Sequence, residues 1–211
     1  MANASVLIPW RYVWVRPRMA LREAIAHPSG ALVLAPLASG IVQSMVRAAS
    51  SEVGRRGTST ATILIMTGLV GSVWGLVQLL AVSGLLYLVA RDANGQRIPF
   101  RRLRTVVAVA YTPLGAAFVG WLVATLLLGP GLYINPESLA SIYGPITALE
   151  VSLLYFATGV CLLWSFALQV LAVAEARGSS VLSALGTVLS AALLAGILIL
   201  LLVVVAVLLI H

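Results

Sequence analysis

Apolar residues along this chain come in long blocks, not in a fine period, and short polar connections separate the blocks. Five runs stand out, at Gly30 to Val46, Thr60 to Ala90, Thr105 to Leu128, Ile146 to Val173 and Val181 to Ile210. A helix crosses the roughly 30 Å hydrocarbon core of a bilayer with about 20 apolar residues. A helix satisfies its backbone N–H and C=O groups within its own segment, which water cannot do in hydrocarbon, so such runs are read as helices. The pattern predicts an all-α fold, a polytopic transmembrane helical bundle of five spans, preceded by an interfacial amphipathic helix. Residues 1–29 form a cytoplasmic segment carrying that helix, and residues 30–211 form the five-span domain.

The runs differ in ways that predict geometry. The first holds only 17 residues, the short end for crossing, with Pro36 and Gly40 permitting a bend and Gln43 and Ser44 able to hydrogen-bond a neighbouring helix. The second holds 31, about 46 Å of helix, so tilt or a kinked end absorbs the excess. Pro113 lies inside the third, where its ring clashes with the carbonyl of Val109 and predicts a kink. The second half of the fifth, Ala191 to Ile210, is almost wholly apolar and is expected to face lipid.

Between the runs, Trp10 to His27 mixes aromatic, apolar and arginine residues. Pro17 suits a first helical turn, with Met19, Ala20, Ile25 and Ala26 toward lipid and Arg18, Arg22 and Glu23 toward water. Glu23 has only a protonated His27 as a local partner four residues away, or else another segment. Arg47 to Ser59 reads as a mobile polar loop. In the connection that begins at Arg91, Asn94-Gly95 is a turn dipeptide, since both residues tolerate positive φ. Gly129 to Pro145 reads as a loop without any basic residue, and Ala174 to Ser180 as a short turn.

Composition excludes a soluble domain: 61% of residues are hydrophobic, 9% are charged and mean hydropathy is +1.08, whereas soluble domains carry about 25% charged residues. The net charge of +7 rests on arginine alone, since the chain has no lysine. Ten arginines lie on the side of the amino terminus and three on the other. By the positive-inside rule the amino terminus is cytoplasmic and the carboxyl terminus, at His211, extracytoplasmic, in a multi-pass protein of the cell membrane. Met1 to Pro9 lacks the features of a signal peptide, so no processing is expected.

Arg16, Arg18, Arg22, Arg97, Arg101, Arg102 and Arg104 are the candidates for lipid-headgroup anchoring. Their long stems lie along apolar surface while guanidinium groups reach phosphates; the competing role is docking of a specific partner. The expected partners are the bilayer, with anionic headgroups on the cytoplasmic side, and other membrane proteins or a second copy. Nucleic acid is not expected, because no soluble domain presents a basic face.

Gly68, Gly71, Gly75 and Gln78 fall within an arc of about 80° on the second run, and Gly71 and Gly75 form a G-x-x-x-G pair. With Pro113 they are the helix-packing candidates, intramolecular contact being favoured over a dimer face. Gln78, Glu150, Thr158, Ser165 and Gln169 are candidates for a polar intramembrane cluster. Glu150 is either interfacial and structural or a proton or cation site. Cys161, inside an apolar run, is read as packing. Histidine occurs only at His27 and His211, outside the spans, and neither H-E-x-x-H nor a phosphate loop with its lysine is present. Metal, cofactor and enzyme activity are therefore not expected.

Three segments carry a family resemblance. RPRMALREAIAHP at Arg16 to Pro28 resembles the pre-membrane segment of Yip-family proteins (the Ypt-interacting-protein domain), with Ala20-Leu21 where threonine and phenylalanine are more usual. FRRLRTVVAVAYTPLG at Phe100 to Gly115 resembles that family's basic stretch leading to a proline-bearing third span. LLWSFALQVLAVAEARGSSVLSALG at Leu162 to Gly186 resembles its tryptophan-containing fourth span, tight turn and start of the fifth. Arginine without lysine and abundant alanine point to a GC-rich bacterial source. The resemblance implies a five-span membrane protein. Eukaryotic members are implicated in Rab-GTPase and vesicle traffic and prokaryotic ones carry no assigned activity, so Rab binding is not transferred. Two functions follow as expectations: a non-catalytic membrane scaffold or adapter, which is favoured, and a small transporter or channel subunit using the polar residues inside the bundle.

Overall fold

Pro17 opens the first helix, α1 (Pro17–Ala26), where its missing N–H costs nothing. The computed structural model of the protein describes residues 12–134 and 136–210, with side chains for all of these except 136–138 and 209–210. The readings made for Met1 to Pro9, Trp10, Arg11 and His211 lie outside the described residues. After α1 a 3₁₀ turn, Gly30–Val33, leads into α2 (Leu34–Ser50). A second 3₁₀ turn, Val53–Arg56, precedes α3 (Thr60–Val89). There follow α4 (Phe100–Ala110), α5 (Thr112–Leu128), a 3₁₀ turn at Gly129–Tyr133, α6 (Pro136–Tyr143), α7 (Pro145–Arg177) and α8 (Val181–Ile210). Among the described residues the only β pairing is an isolated bridge between Arg91 and Arg97.

Five segments are long and apolar enough to cross a membrane: Gly30–Ser50, Thr60–Val89, Thr112–Tyr133, Pro145–Arg177 and Val181–Leu208. The protein is an all-α, multi-pass membrane protein. The last span is the most apolar, at mean hydropathy 3.3, and from Ala192 to Leu208 none of its residues is buried.

Several boundaries differ from the sequence reading. The third span does not run as one kinked helix from Thr105. Helix α4 stops at Ala110, Tyr111 forms a turn and α5 restarts at Thr112, which puts Pro113 in a first turn. There the missing donor costs nothing, whereas inside a continuous helix it would break a bond. Gly129 to Pro145 is not an irregular loop but a 3₁₀ turn followed by α6, and Leu132, Tyr133 and Leu139 within it are fully buried. Apolar side chains spaced through a glycine- and proline-rich stretch thus anchor it to the protein. Helix α2 continues past Val46 to Ser50, so Arg47 to Ser50 is helical and not loop. Ala20 points into the protein with Leu21 and Ala24, not toward lipid.

The helices fall into two compact units. One comprises Ser29–Leu79 and Ala108–Ala167; the other comprises the described residues up to Pro28, Leu80–Val107 and those from Leu168 onward. We call the first the glycine-packed unit and the second the arginine-rich unit. Helices α3, α4 and α7 contribute to both.

In the glycine-packed unit α2 and α3 approach backbone to backbone. A methyl group added at Gly40 would lie 2.0 Å from the Gly71 carbonyl oxygen, one at Gly71 2.5 Å from Ile41 Cα, and one at Gly75 2.1 Å from the Pro36 carbonyl oxygen. In hydrocarbon no apolar transfer energy drives helices together, so close packing of this kind carries the association. Around Trp121 a core forms from α2, α5, α6 and α7, including Val42, Met45, Ala117, Tyr133, Leu139 and Val151. Trp121 Nε1 donates to Thr158 Oγ1 at 2.9 Å, and its ring meets Tyr155 edge to face at 5.3 Å. Thr125 and Tyr133 share a hydroxyl hydrogen bond of 2.8 Å beside it.

Candidate functional site: an arginine face held by Glu175

The arginine-rich unit holds nine described arginines against Glu23, Asp92 and Glu175, whereas the segments of the other unit carry three arginines and three acids. The whole excess of positive charge is therefore on one unit. Its organising residue is Glu175, in the last turn of α7, whose side chain is only 14% exposed. An acid there opposes the negative end of the helix dipole, so it needs cations from elsewhere. Arg22 of α1 supplies a fork, with Nε donating to Oε2 at 2.8 Å and Nη2 to Oε1 at 3.4 Å. Arg18 Nε lies 3.7 Å from Oε1. The hydrogen bond to Glu175, and then its charge, raise the Arg22 pKa above the usual arginine value. Arg102 of α4 adds a bond from Nη2 to the Glu175 backbone carbonyl at 3.3 Å.

Two residues on, Arg177 ties three segments. Its Nε donates to the Arg91 carbonyl at 2.7 Å, while its Nη1 donates to the Ser183 carbonyl at 3.1 Å and to Thr187 Oγ1. A cation suits this helix end. The connection after α3 is shaped by Asp92, whose Oδ1 accepts from the Asn94 and Gln96 backbone N–H groups at 2.9 and 2.8 Å. Gly95 takes φ +77°, the positive value a turn at Asn94-Gly95 requires. Arg97 then lies over the Tyr87 ring, 5.7 Å from its centroid.

The seven anchoring candidates are thus not equivalent. Arg16, Arg101 and Arg104 are exposed and make no ion pair among the described residues. Arg18, Arg22, Arg97 and Arg102 are held by the contacts above. Along α1 an open groove of about 710 Å³ is lined by Arg16, Arg18 and Arg22 with Met19, Ala26 and Leu171. Guanidinium groups beside apolar side chains are what a lipid headgroup and the start of its acyl chains need. Glu23 also lines it and sits 3.8 Å from His27 Nε2.

Within the glycine-packed unit no hydrogen bond among the described residues joins Gln78, Glu150, Thr158 and Ser165 to one another. Gln78 exchanges amide hydrogen bonds with Gln43 at 2.9 and 2.8 Å, and Thr158 takes the Trp121 indole. Glu150 is exposed near the start of α7, Ser165 is buried with its hydroxyl unpartnered, and Gln169 lies in the other unit, half-buried. Among the packing candidates Gly71 and Gly75 sit at the crossing, Pro113 starts α5, and Gly68 faces open space.

Sequence reasoning passed over Glu175, Arg177 and the Gln43–Gln78 pair. An acid at the carboxyl end of an apolar helix was the available signal for Glu175, because without a cationic partner it is unfavourable there. Replacing Glu175 by glutamine is expected to raise amide exchange of α1 several-fold without unfolding the spans, measured by hydrogen–deuterium exchange in detergent; unchanged protection of Met19 to Ala26 would show that Glu175 does not hold α1. Comparison with protein-family models, curated proteins and solved structures finds no match to this chain.

Proposed function

We propose that the protein is a non-catalytic scaffold or adapter of the cell membrane, of the Yip type that its sequence resembles, with the arginine-rich unit resting on anionic headgroups of the cytoplasmic leaflet. In this reading the amino terminus is cytoplasmic and the carboxyl terminus extracytoplasmic. The observation that supports it is the concentration of the entire charge excess on one unit, where α1 and α4 meet at Glu175 and the connection at Arg91 is tied to Arg177 two residues on. Near an anionic surface each arginine contributes about 1 kcal/mol. The hydrogen bonds of Gln78 and Thr158 are spent on helix partners, which favours a scaffold over a conducting path.

Replacing Arg101, Arg102 and Arg104 together by glutamine is expected to weaken binding to anionic vesicles and to lower cytoplasmic retention of a reporter placed at Asn94. Lysine should substitute well, since a lipid surface reads charge. Loss of one co-purifying protein equally in the lysine and glutamine variants, with lipid binding intact in the lysine variant, would instead mean that planar guanidinium forks grip a specific partner.

A further inference from the structure

A second groove lies on the flank of the glycine-packed unit. Where α2 and α3 touch, at Gly40, Gly71 and Gly75, there is no room for a side chain. Beside that crossing, toward the carboxyl end of α2, the two helices leave about 720 Å³ between them, within the range of sites that bind small molecules. Its long wall is Met66, Val70, Val73 and Val77 of α3, all 47–63% exposed. From Met66 to Val77 the helix rises about 16 Å, roughly half of a 30 Å hydrocarbon core and so the depth of one leaflet.

The two ends of the groove differ in chemistry. At the deep end Gln43 and Gln78 exchange amide hydrogen bonds at 2.9 and 2.8 Å, and Trp74 Nε1 donates to Gln43 Oε1 at 3.2 Å. These amides are closed on one another, so this end offers an apolar ligand a stop and not a polar path. One helical turn beyond Gln43, on the side lined by Ser51 and Val53 that follow it in the chain, stands Arg47, in the last turn of α2, exposed and without an ion pair among the described residues, with no acid in the lining. An apolar slot one leaflet deep with a single unpaired cation at its mouth is complementary to an amphiphile bearing one negative charge.

We propose that this groove binds one anionic phospholipid, an acyl chain lying along Val70, Val73 and Val77 with its phosphate on Arg47. The site belongs to the glycine-packed unit alone and does not depend on the arginine face. The test uses the full chain in detergent, titrated with phosphatidylglycerol carrying brominated acyl chains, which quench indole on contact. The signal of Trp74, taken as the difference between the parent and a Trp74→Phe variant, is expected to fall saturably. Unbrominated phosphatidylglycerol should compete better than phosphatidylcholine. Arg47→Gln should weaken the competition roughly fivefold and remove the headgroup preference, while Arg47→Lys keeps it. Val73→Phe, which fills the slot, should abolish saturation at an unchanged thermal midpoint.

Quenching that rises linearly with lipid, or without preference between the two headgroups, means bulk lipid contact and overturns the proposal. So does a chain that is dimeric in the parent and monomeric with Val73→Phe, since a second copy would then fill the groove. The glutamine variant of Arg101, Arg102 and Arg104 should leave the Trp74 signal unchanged, so the two readings fail separately.

Discussion

Gly40→Ala, Gly71→Leu and Gly75→Leu are each expected to destabilise the protein by about 3 kcal/mol, the upper end of what overpacking costs. The reason is that the atoms they would strike are backbone: the Gly71 carbonyl oxygen at 2.0 Å, Ile41 Cα at 2.5 Å and the Pro36 carbonyl oxygen at 2.1 Å. A side chain can rotate away, but here one whole helix must move off the other. Gly68→Ala is the internal control, because an added methyl there meets nothing within 4 Å. It should be neutral or stabilising by up to about 1 kcal/mol through helix propensity. Thermal unfolding in detergent separates the cases, and a Gly75→Leu midpoint equal to that of Gly68→Ala would remove the crossing from the account of stability.

Trp121→Ala carries the other large effect, about 3–5 kcal/mol. The indole is fully buried, packs edge to face on Tyr155 and donates to Thr158. Its removal empties the place where α2, α5, α6 and α7 meet. Thr158→Val tests the hydrogen bond separately: it keeps the volume but leaves the indole N–H unpaired, at a cost of about 1–3 kcal/mol. Chemical unfolding followed by fluorescence reads both, and a Trp121→Ala variant within 1 kcal/mol of the parent would show that the core lies elsewhere.

How far the candidate sites could be read from sequence varies with how local their physics is. The turn at Asn94-Gly95 was legible because one positive φ is a property of two residues. Gly71 and Gly75 are legible as a contact face because their spacing places them on one side of a helix; for their partner, Gly40, the sequence indicates only a point of bending. Sequence marks Gln43 as able to bond a neighbouring helix but groups its partner Gln78 with Glu150, Thr158, Ser165 and Gln169, since shared polarity says nothing about which helices adjoin. Among the seven anchoring arginines the sequence offered no ranking, while the contacts separate Arg16, Arg101 and Arg104 from those tied to Glu175 or Tyr87.

Blocks of apolar residues with almost no charge determine by themselves that the chain is an all-α membrane protein with five spans. A helix satisfies the backbone groups of such an unbroken apolar run within that one segment, so the answer needs no knowledge of neighbours. Proline marked where the third run is interrupted, but only the folded chain decides between a kink and a break, because that depends on whether Leu103 to Ala110 can be buried as a separate helix. The tertiary structure likewise decides that Glu175 gathers Arg18, Arg22 and Arg102 from segments 73 to 157 residues away, as it decides that Gly40 receives Gly71. In a bilayer every span is apolar alike, so hydropathy assigns a helix to the membrane without assigning it a partner; steric fit and a few buried polar groups make that choice.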